Sequence, residues 1–284
     1  MAGEDILRCP VCGGGMTREG NSLFCPKRHC FDIARSGYVT LTRASGTSGD
    51  DRGMVRSRTS FLDGGSYERF SDVINSTVSR ALETVKNAVV IDAGCGEGYY
   101  ADRLAVSLRA SGRTVDVIGF DLSKHACDHA AKRAKKSGSG ASFAVSSVFE
   151  MPVVDRCADA VISLFAPIAE NEFARVLRPG GYLIVGAAGR RHLYELKRAV
   201  YAEAYENDGR RDLPEGFEEV SAEELSYSFN CGSEALRALF LMTPYAFRTS
   251  KEDMSKLDAI DSLDVTADFD IFVYRKNNID LHER

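Results

Sequence analysis

Residues 89–100 read Val-Val-Ile-Asp-Ala-Gly-Cys-Gly-Glu-Gly-Tyr-Tyr: an apolar β-run that stops at Asp92, then glycines at 94, 96 and 98, then a helix-like segment. A strand feeding a glycine-rich turn and a helix is a place where backbone can approach a nucleotide-like ligand closely. The spacing is G-x-G-x-G, one residue shorter than the G-x-G-x-x-G that brings a pyrophosphate to a helix N-terminus. In isolation the same stretch also reads as an ordinary Gly-rich turn of another α/β protein.

Three further runs place the loop in a fold. Val115–Phe120 is a second apolar strand ending in Asp121, an acceptor suited to the hydroxyls of a ribose. Ala158–Phe165 is a continuous buried-strand run ending at the turn Ala166-Pro167, and Val176–Val185 reads as a helix end, a Pro-Gly-Gly turn and a strand. Their order predicts an α/β Rossmann-like seven-stranded sheet, and the short loop resembles motif I of class I S-adenosylmethionine (SAM) methyltransferases. That resemblance implies that Asp92 faces the cationic methionine end of SAM, Asp121 its ribose, and that the end of the Ala158–Phe165 strand borders the target base. Many such enzymes carry an acid or amide for the adenine after the third strand, whereas Phe143-Ala144-Val145 is followed by Ser146-Ser147. Adenine recognition then falls to these hydroxyls or to backbone. An Asn/Asp-Pro-Pro-Tyr/Phe signature is absent, which argues against methylation of an exocyclic base amine.

The N-terminus holds Cys9-Pro-Val-Cys12 and, after twelve intervening residues, Cys25-Pro-Lys-Arg-His29-Cys30. Two such knuckles offer a closed tetrahedral set for one structural zinc. Cys30 competes with His29 for the fourth position; neighbours in an extended segment point to opposite sides, so one of them coordinates, and His29 is the expected ligand. Two disulfides are the alternative, disfavoured because nothing at the N-terminus reads as a secretory signal. Cys95, Cys127, Cys157 and Cys231 are scattered in apolar or loop settings and read as small core residues.

The 284 residues, 44% hydrophobic, suffice for one large core and a small module, and no apolar run approaches the ~18 residues that span a membrane. A cytoplasmic enzyme is expected. The net charge of −5 is uneven: residues 1–60 carry nine Lys and Arg against six Asp and Glu, an excess of +3, and the remainder carries −8. Lys27, Arg28, Arg35, Arg43, Arg52, Arg56 and Arg58 form a basic lane able to track phosphates, or else a solvated surface of mixed charge. On the first reading Arg52, Arg56 and Arg58 serve RNA and, preceding the glycine loop by more than thirty residues, need not touch it.

Along the chain, Phe31–Leu41 reads as a hairpin-and-strand continuation, 44–53 as a linker, Met54–Leu62 and Tyr67–Lys86 as helices, His192–Tyr205 as a long helix, Glu223–Ser226 and Glu234–Phe240 as helical, and Phe269–Tyr274 as a late antiparallel strand. The expected division is a zinc-binding, RNA-recognition module at 1–44, a linker and lid segment at 45–72, and a methyltransferase domain at 73–284.

With Cys-Pro-x-Arg-His-x-Phe-Asp at 25–32, Gly37-Tyr38-Val39, Phe61-Leu62-Asp63-x-Gly65-x-Tyr67, the loop from Asp92 to Tyr100, Phe-Ala-Pro at 165–167, Arg191-His192-Leu193 and Met242-Thr243-Pro244-Tyr245-Ala246, the chain resembles the bacterial 23S rRNA (guanine-N1)-methyltransferases of the RlmA type over nearly its whole length. The resemblance implies zinc at Cys9, Cys12, Cys25 and His29. It adds Tyr67, Tyr100, Ala101 and His192 to a cofactor set that already contains Asp92, Gly94, Gly96, Gly98 and Asp121. It further implies a hairpin of 23S rRNA as substrate and a homodimer with a shared RNA cleft. No residue is assigned as the acceptor of the guanine N1 proton: Glu170 and Glu172 follow the Ala166-Pro167 turn but read equally as solvated helix carboxylates, and loss to water is open. A zinc-ribbon RNA-binding protein without cofactor, or a SAM-dependent enzyme acting on another RNA or a small molecule, are the alternatives.

Overall fold

The computed structural model describes residues 3–43, 49–208 and 213–277. A small antiparallel sheet comes first, β1 (Thr17–Glu19), β2 (Ser22–Phe24) and β3 (Cys30–Asp32), followed by the two-residue β4 (Val39–Thr40). Helices α1 (Arg52–Asp63) and α2 (Glu68–Ala81) lead into β5 (Asn87–Ala93), α3 (Tyr99–Ala110), β6 (Thr114–Asp121), α4 (Lys124–Ser137), β7 (Ser142–Val145) and β8 (Ala158–Leu164). Then come α5 (Glu170–Val176), β9 (Leu177–Ala188), α6 (Tyr194–Val200), β10 (Phe217–Gly232), α7 (Ser233–Leu241), α8 (Lys251–Ser255) and β11 (Ser262–Lys276).

The main sheet runs β10-β11-β9-β8-β5-β6-β7-β4. Pairing is parallel from β9 to β4, and β11 is antiparallel to both β9 and β10. All seven residues of β8 are buried, as expected of a strand covered on both faces. Local signals set the helix ends. The Asp51 carboxylate accepts from the Gly53 and Met54 amides to open α1, Ser123 caps α4 through the Ala126 amide, and Gly138 in the left-handed region closes it. The carboxyl ends of β5, β6 and β8 therefore share one edge, where chain reversal between neighbouring strands opens a crevice.

Seven of these strands form the expected sheet; the eighth, β4, comes from the segment behind the cysteine knuckles. It pairs Val39 with Ala144 and Thr40 with Val145, and the Leu41 amide donates to the Val145 carbonyl at 2.9 Å. The outer edge of β7 would otherwise present unpaired backbone groups. The ribbon also docks by its N-terminal segment: Leu7 bridges Val153, the Arg8 amide donates to the Pro152 carbonyl at 2.7 Å, and Ile6, Leu7, Val39 and Leu41 join Ile118, Ala144, Val153 and Phe173 in one apolar cluster.

Three expectations fail. The helix expected over 192–205 is only α6: it begins after Leu193, which is left-handed (φ 57°) and donates its amide to Thr266 on β11, and it ends where Tyr201 turns extended (φ −102°, ψ 141°). Glu223–Ser226 lies in β10, not a helix; a ladder to β11 running from Ser221 to Gly232 overrides a Glu-rich run's local preference. Helix α2 stops at Ala81, short of Lys86. Of the expected linker at 44–53, residues 44–48 lie outside the described residues, and α1 begins at Arg52.

Candidate functional site

The two knuckles converge on one point. The ligand atoms of Cys9, Cys12, Cys25 and His29 all lie within 4.8 Å of one another. The Cys12 and Cys25 sulfurs are 3.6 Å apart, and His29 Nδ1 lies 3.4 Å from the Cys9 sulfur and 3.3 Å from that of Cys25. A tetrahedron with zinc–ligand bonds of ~2.0–2.3 Å has edges of roughly 3.5 Å, so the set fits the ion. Cys30 is exposed, lies outside the cluster, and its thiol points to Asp32 at 3.8 Å.

The glycine loop turns back under β6: the Gly94 and Cys95 amides both donate to the Phe120 carbonyl, at 2.8 and 3.0 Å. Gly94, Gly96 and Gly98 all have positive φ (82°, 53° and 82°), which side-chain-bearing residues rarely adopt. Asp92, 2% exposed, has one carboxylate oxygen with no hydrogen-bond partner. Burial, then the charges of Asp121 and Glu97, push its pKa up to about 8. A buried, half-satisfied carboxyl at the head of a glycine cradle fits the ammonium and sulfonium end of SAM. Asp121 accepts from the Gly96 amide at 3.0 Å and the Ser123 amide at 2.7 Å, so its carboxylate is fixed at the end of β6 with lone pairs left for ribose hydroxyls. Burial raises the Asp121 pKa, opposed by these backbone donors. Ser146 is turned inward, its hydroxyl reaching the Glu150 carbonyl at 3.2 Å, and the Ser147 hydroxyl accepts from the Phe149 amide at 3.2 Å.

Tyr67 and His192 meet inside an aromatic cluster. Their polar tips are 3.0 Å apart, and Tyr67 is 1% exposed. Phe70 packs edge-on against Tyr100 (5.7 Å between centroids) and lies 4.3 Å from Phe269, which itself lies 4.8 Å from His192. Ala101, in the first turn of α3, is fully buried, and its backbone amide is one of those without an intrahelical acceptor. Burial lowers the His192 pKa to about 3.

Three features lay outside the sequence reading. First, Arg58 does not face away: it is ion-paired with Asp50, and a Cβ on Gly96 would come within 3.4 Å of its guanidinium. The Asp50 carbonyl accepts from the Ser123 hydroxyl at 2.6 Å, so the strap ahead of α1 and α1 itself lie on the loops after β5 and β6. The expectation that Arg58 stays clear of the glycine loop is therefore corrected; proximity comes from α1 folding back over the sheet edge. Second, Glu97 is buried and paired with Arg133 at 2.8 Å, and Arg133 also holds Asp63 at the end of α1 at 2.8 Å. Third, of the remaining basic lane, Arg28 pairs with Glu19 and Arg43 with Glu150, while Lys27, Arg35 and Arg56 are exposed.

These features coincide with known proteins. A methyltransferase-domain model matches residues 84–237, and a zinc-ribbon model described as the RlmA N-terminal region matches residues 7–43. A Bacillus subtilis (strain 168) protein provisionally named a 23S rRNA (guanine-N(1)-)-methyltransferase is 32% identical over 95% of this chain and 97% of its own. The 23S rRNA (guanine(748)-N(1))-methyltransferase of Streptomyces fradiae is 30% identical over 88% of this chain and 89% of its own.

The chain belongs to the 23S rRNA (guanine-N1)-methyltransferase family. It is a SAM-dependent methyltransferase with one structural zinc in its N-terminal ribbon. A malonyl-[acyl-carrier protein] O-methyltransferase of Hamiltonella defensa is also similar, 28% identical but over only 47% of this chain. Of the two carboxylates beyond the Ala166-Pro167 turn, Glu172 is held by Arg175 (2.7 Å) and by the Met151 amide (2.5 Å), while exposed Glu170 accepts weakly from the Glu215 amide at 3.4 Å. Among the described residues no helix is long and apolar enough to cross a membrane.

Proposed function

We propose that this methyltransferase transfers the methyl group of SAM to N1 of a guanine in a hairpin of 23S rRNA, acting in the cytoplasm as a homodimer. Residues 1–44 recognise the RNA, 45–72 strap the cofactor site, and 73–284 carry the chemistry. The observation that supports it best is the union in one chain of a Cys3His ribbon and a SAM crevice, with the ribbon's own strand built into the catalytic sheet.

Guanine N1 lies on the Watson–Crick edge and carries a proton, so the base must be unpaired or extruded and the proton must leave before or during attack. SAM supplies a methyl group already activated as a sulfonium. The protein's task is alignment, which can lower the barrier by roughly 7–11 kcal/mol. In this reading Asp92 takes the amino end of SAM, Asp121 the ribose, the amides at the start of α3 the carboxylate, and Tyr67 with His192 close the site from the side of β9 and β11. His192 is not the base: both ring nitrogens are already engaged, Nδ1 by the Asp268 amide at 3.2 Å and Nε2 by Tyr67. Glu172, locked by Arg175, is not the base either.

Reverse-transcription stops on rRNA from a deletion strain test the proposal, because N1 methylation blocks pairing. One large-subunit stop should vanish on deletion and return on complementation; an unchanged stop pattern refutes the substrate.

A further inference from the structure

Lys197, in α6, is a lysine buried like a core residue, 1% exposed. Lysine is rarely buried without a carboxylate beside it. Among the described residues its ammonium is met by neutral groups instead: it donates to the Tyr205 carbonyl at 3.2 Å and to the Asn207 side-chain oxygen at 2.5 Å, and it lies 4.2 Å from the centre of the Tyr205 ring and 5.7 Å from that of Tyr245. An apolar side chain of the same length would fill this place without the cost of desolvating a charge, so packing does not account for the ammonium. What the ammonium does is tie down residues 205–207, the chain just beyond its own helix.

Asn207 passes that tie on. Its side-chain amide donates to the Gly189 carbonyl at 2.7 Å and its backbone amide to the Arg190 carbonyl at 2.9 Å. The same turn is gripped independently by Asp268 on β11, whose carbonyl accepts from the Gly189 amide at 2.7 Å and whose carboxylate accepts from the Arg191 amide at 2.8 Å. A Cβ on Gly189 would come within 2.7 Å of the Asp268 carboxylate, so the turn lies tight against it. Residues 189–191 are thus held by both Asp268 and Asn207, and the residue they deliver is His192, whose Nδ1 accepts from the Asp268 amide. A further link from the segment to the turn, Arg190 with Glu206, is exposed and contributes little.

We propose that Lys197 is a positioning residue of the cofactor site: through Asn207 it clamps the turn at 189–191 and so fixes His192 against Tyr67. The inference rests on the proposed cofactor role of Tyr67 and His192 and deepens it by naming what holds the histidine in place. Lys197 acts through the turn and touches no ligand; a binding group is only as precise as the contacts that support it. Its charge also opposes protonation of His192, which keeps the ring neutral, as acceptance from the Asp268 amide demands.

The test compares wild type, Lys197→Met, Asn207→Leu, the double variant and His192→Ala by SAM calorimetry, melting temperature and the nitrogen-15 signals of His192. Lys197→Met exchanges the ammonium for an apolar side chain of similar length, so its melting temperature should hold or rise. Its SAM dissociation constant should nevertheless rise about three- to tenfold, and the His192 signals should pass from one tautomer to a mixture. Asn207→Leu should weaken SAM binding to the same extent and the double variant no further, because both changes break one linkage. A Lys197→Met protein with wild-type SAM affinity and an unchanged His192 spectrum would overturn the proposal and leave the lysine a structural tether of its loop; losses that add up in the double variant would overturn it as well. If His192→Ala itself leaves SAM binding intact, the cofactor role of the histidine fails, and the clamp with it; a loss of about tenfold in His192→Ala beside an indifferent Lys197→Met refutes the clamp alone.

Discussion

Tyr67 Oη stands 3.0 Å from His192 Nε2, although 125 residues separate them, and the pairing fixes the state of both side chains. The Asp268 amide can only donate, so Nδ1 is the acceptor and a neutral ring carries its proton on Nε2, pointing at the Tyr67 oxygen. The Tyr67 oxygen is thereby the acceptor in this pair.

The first prediction concerns that tautomer. With a folded pKa near 3 against 6.5 for the free side chain, His192 stays neutral while the unfolded chain takes up a proton. Its contribution to stability is intact above pH 6.5 and is lost as pH falls toward 3. Nitrogen-15 spectra should show an Nε2-protonated ring unchanged from pH 8 to 5; a ring titrating near pH 6.5 would contradict the burial. His192→Ala should weaken SAM binding about tenfold by freeing Tyr67.

Asp92 gives a pH dependence of opposite character. Its folded pKa is raised to about 8 from 3.8, so without cofactor its burial destabilises the protein progressively between about pH 4 and 8, and by a constant amount above that. Cationic SAM favours the carboxylate. Affinity should therefore rise with pH, by up to about tenfold per unit below pH 8, with a proton released on binding. Asp92→Asn should bind weakly and without this slope, as titration calorimetry in buffers of different ionisation enthalpy would reveal.

Asp121 should behave as a cofactor residue alone. Asp121→Ala should raise the SAM dissociation constant about 10- to 100-fold while rRNA affinity holds, since a charged hydrogen bond contributes ~1.5–3 kcal/mol. Unaltered SAM binding would remove it from the site.

The arginines divide into two groups. Arg52→Ala with Arg56→Ala should flatten the salt dependence of rRNA binding by up to about two units of slope if each meets one phosphate, leaving SAM binding intact. Arg58→Ala should instead weaken SAM binding about fivefold, because it unlatches the Asp50 strap from the glycine loop. Filter binding across a salt series, paired with calorimetry, separates the two.

For the zinc, Cys30→Ser should retain one ion per chain by atomic absorption, and Cys25→Ser should release it with loss of ribbon structure. A Cys30→Ser variant that loses zinc while a His29→Ala variant retains it would move the fourth ligand from His29 to Cys30.

Much of this was legible in the sequence because its signals are local. The glycine spacing, the acids at Asp92 and Asp121, and the knuckle pairs each state their chemistry within a dozen residues. What was not legible depends on distant chain segments. Arg58 reads as a surface cation until α1 folds over Gly96, and Glu97 reads as a loop residue until Arg133 arrives from α4. The helical reading of Glu223–Ser226 failed for the same reason, since its partner strand lies some forty residues downstream. Phe165 was quoted as part of a strand end, but neither its left-handed backbone nor its open face can be inferred from neighbours in sequence.

The pairing of Val39 and Thr40 with β7 means that the ribbon is not a detachable cassette. Cutting the chain after residue 44 to isolate a catalytic fragment would strip a strand from the sheet, bare a parallel edge, and uncover Ile118, Ala144 and Val153, a recipe for edge-to-edge aggregation. The same weld constrains inheritance: the ribbon could be exchanged between relatives only together with the strand that seals the sheet, so the zinc module and the catalytic sheet are bound to change as one unit.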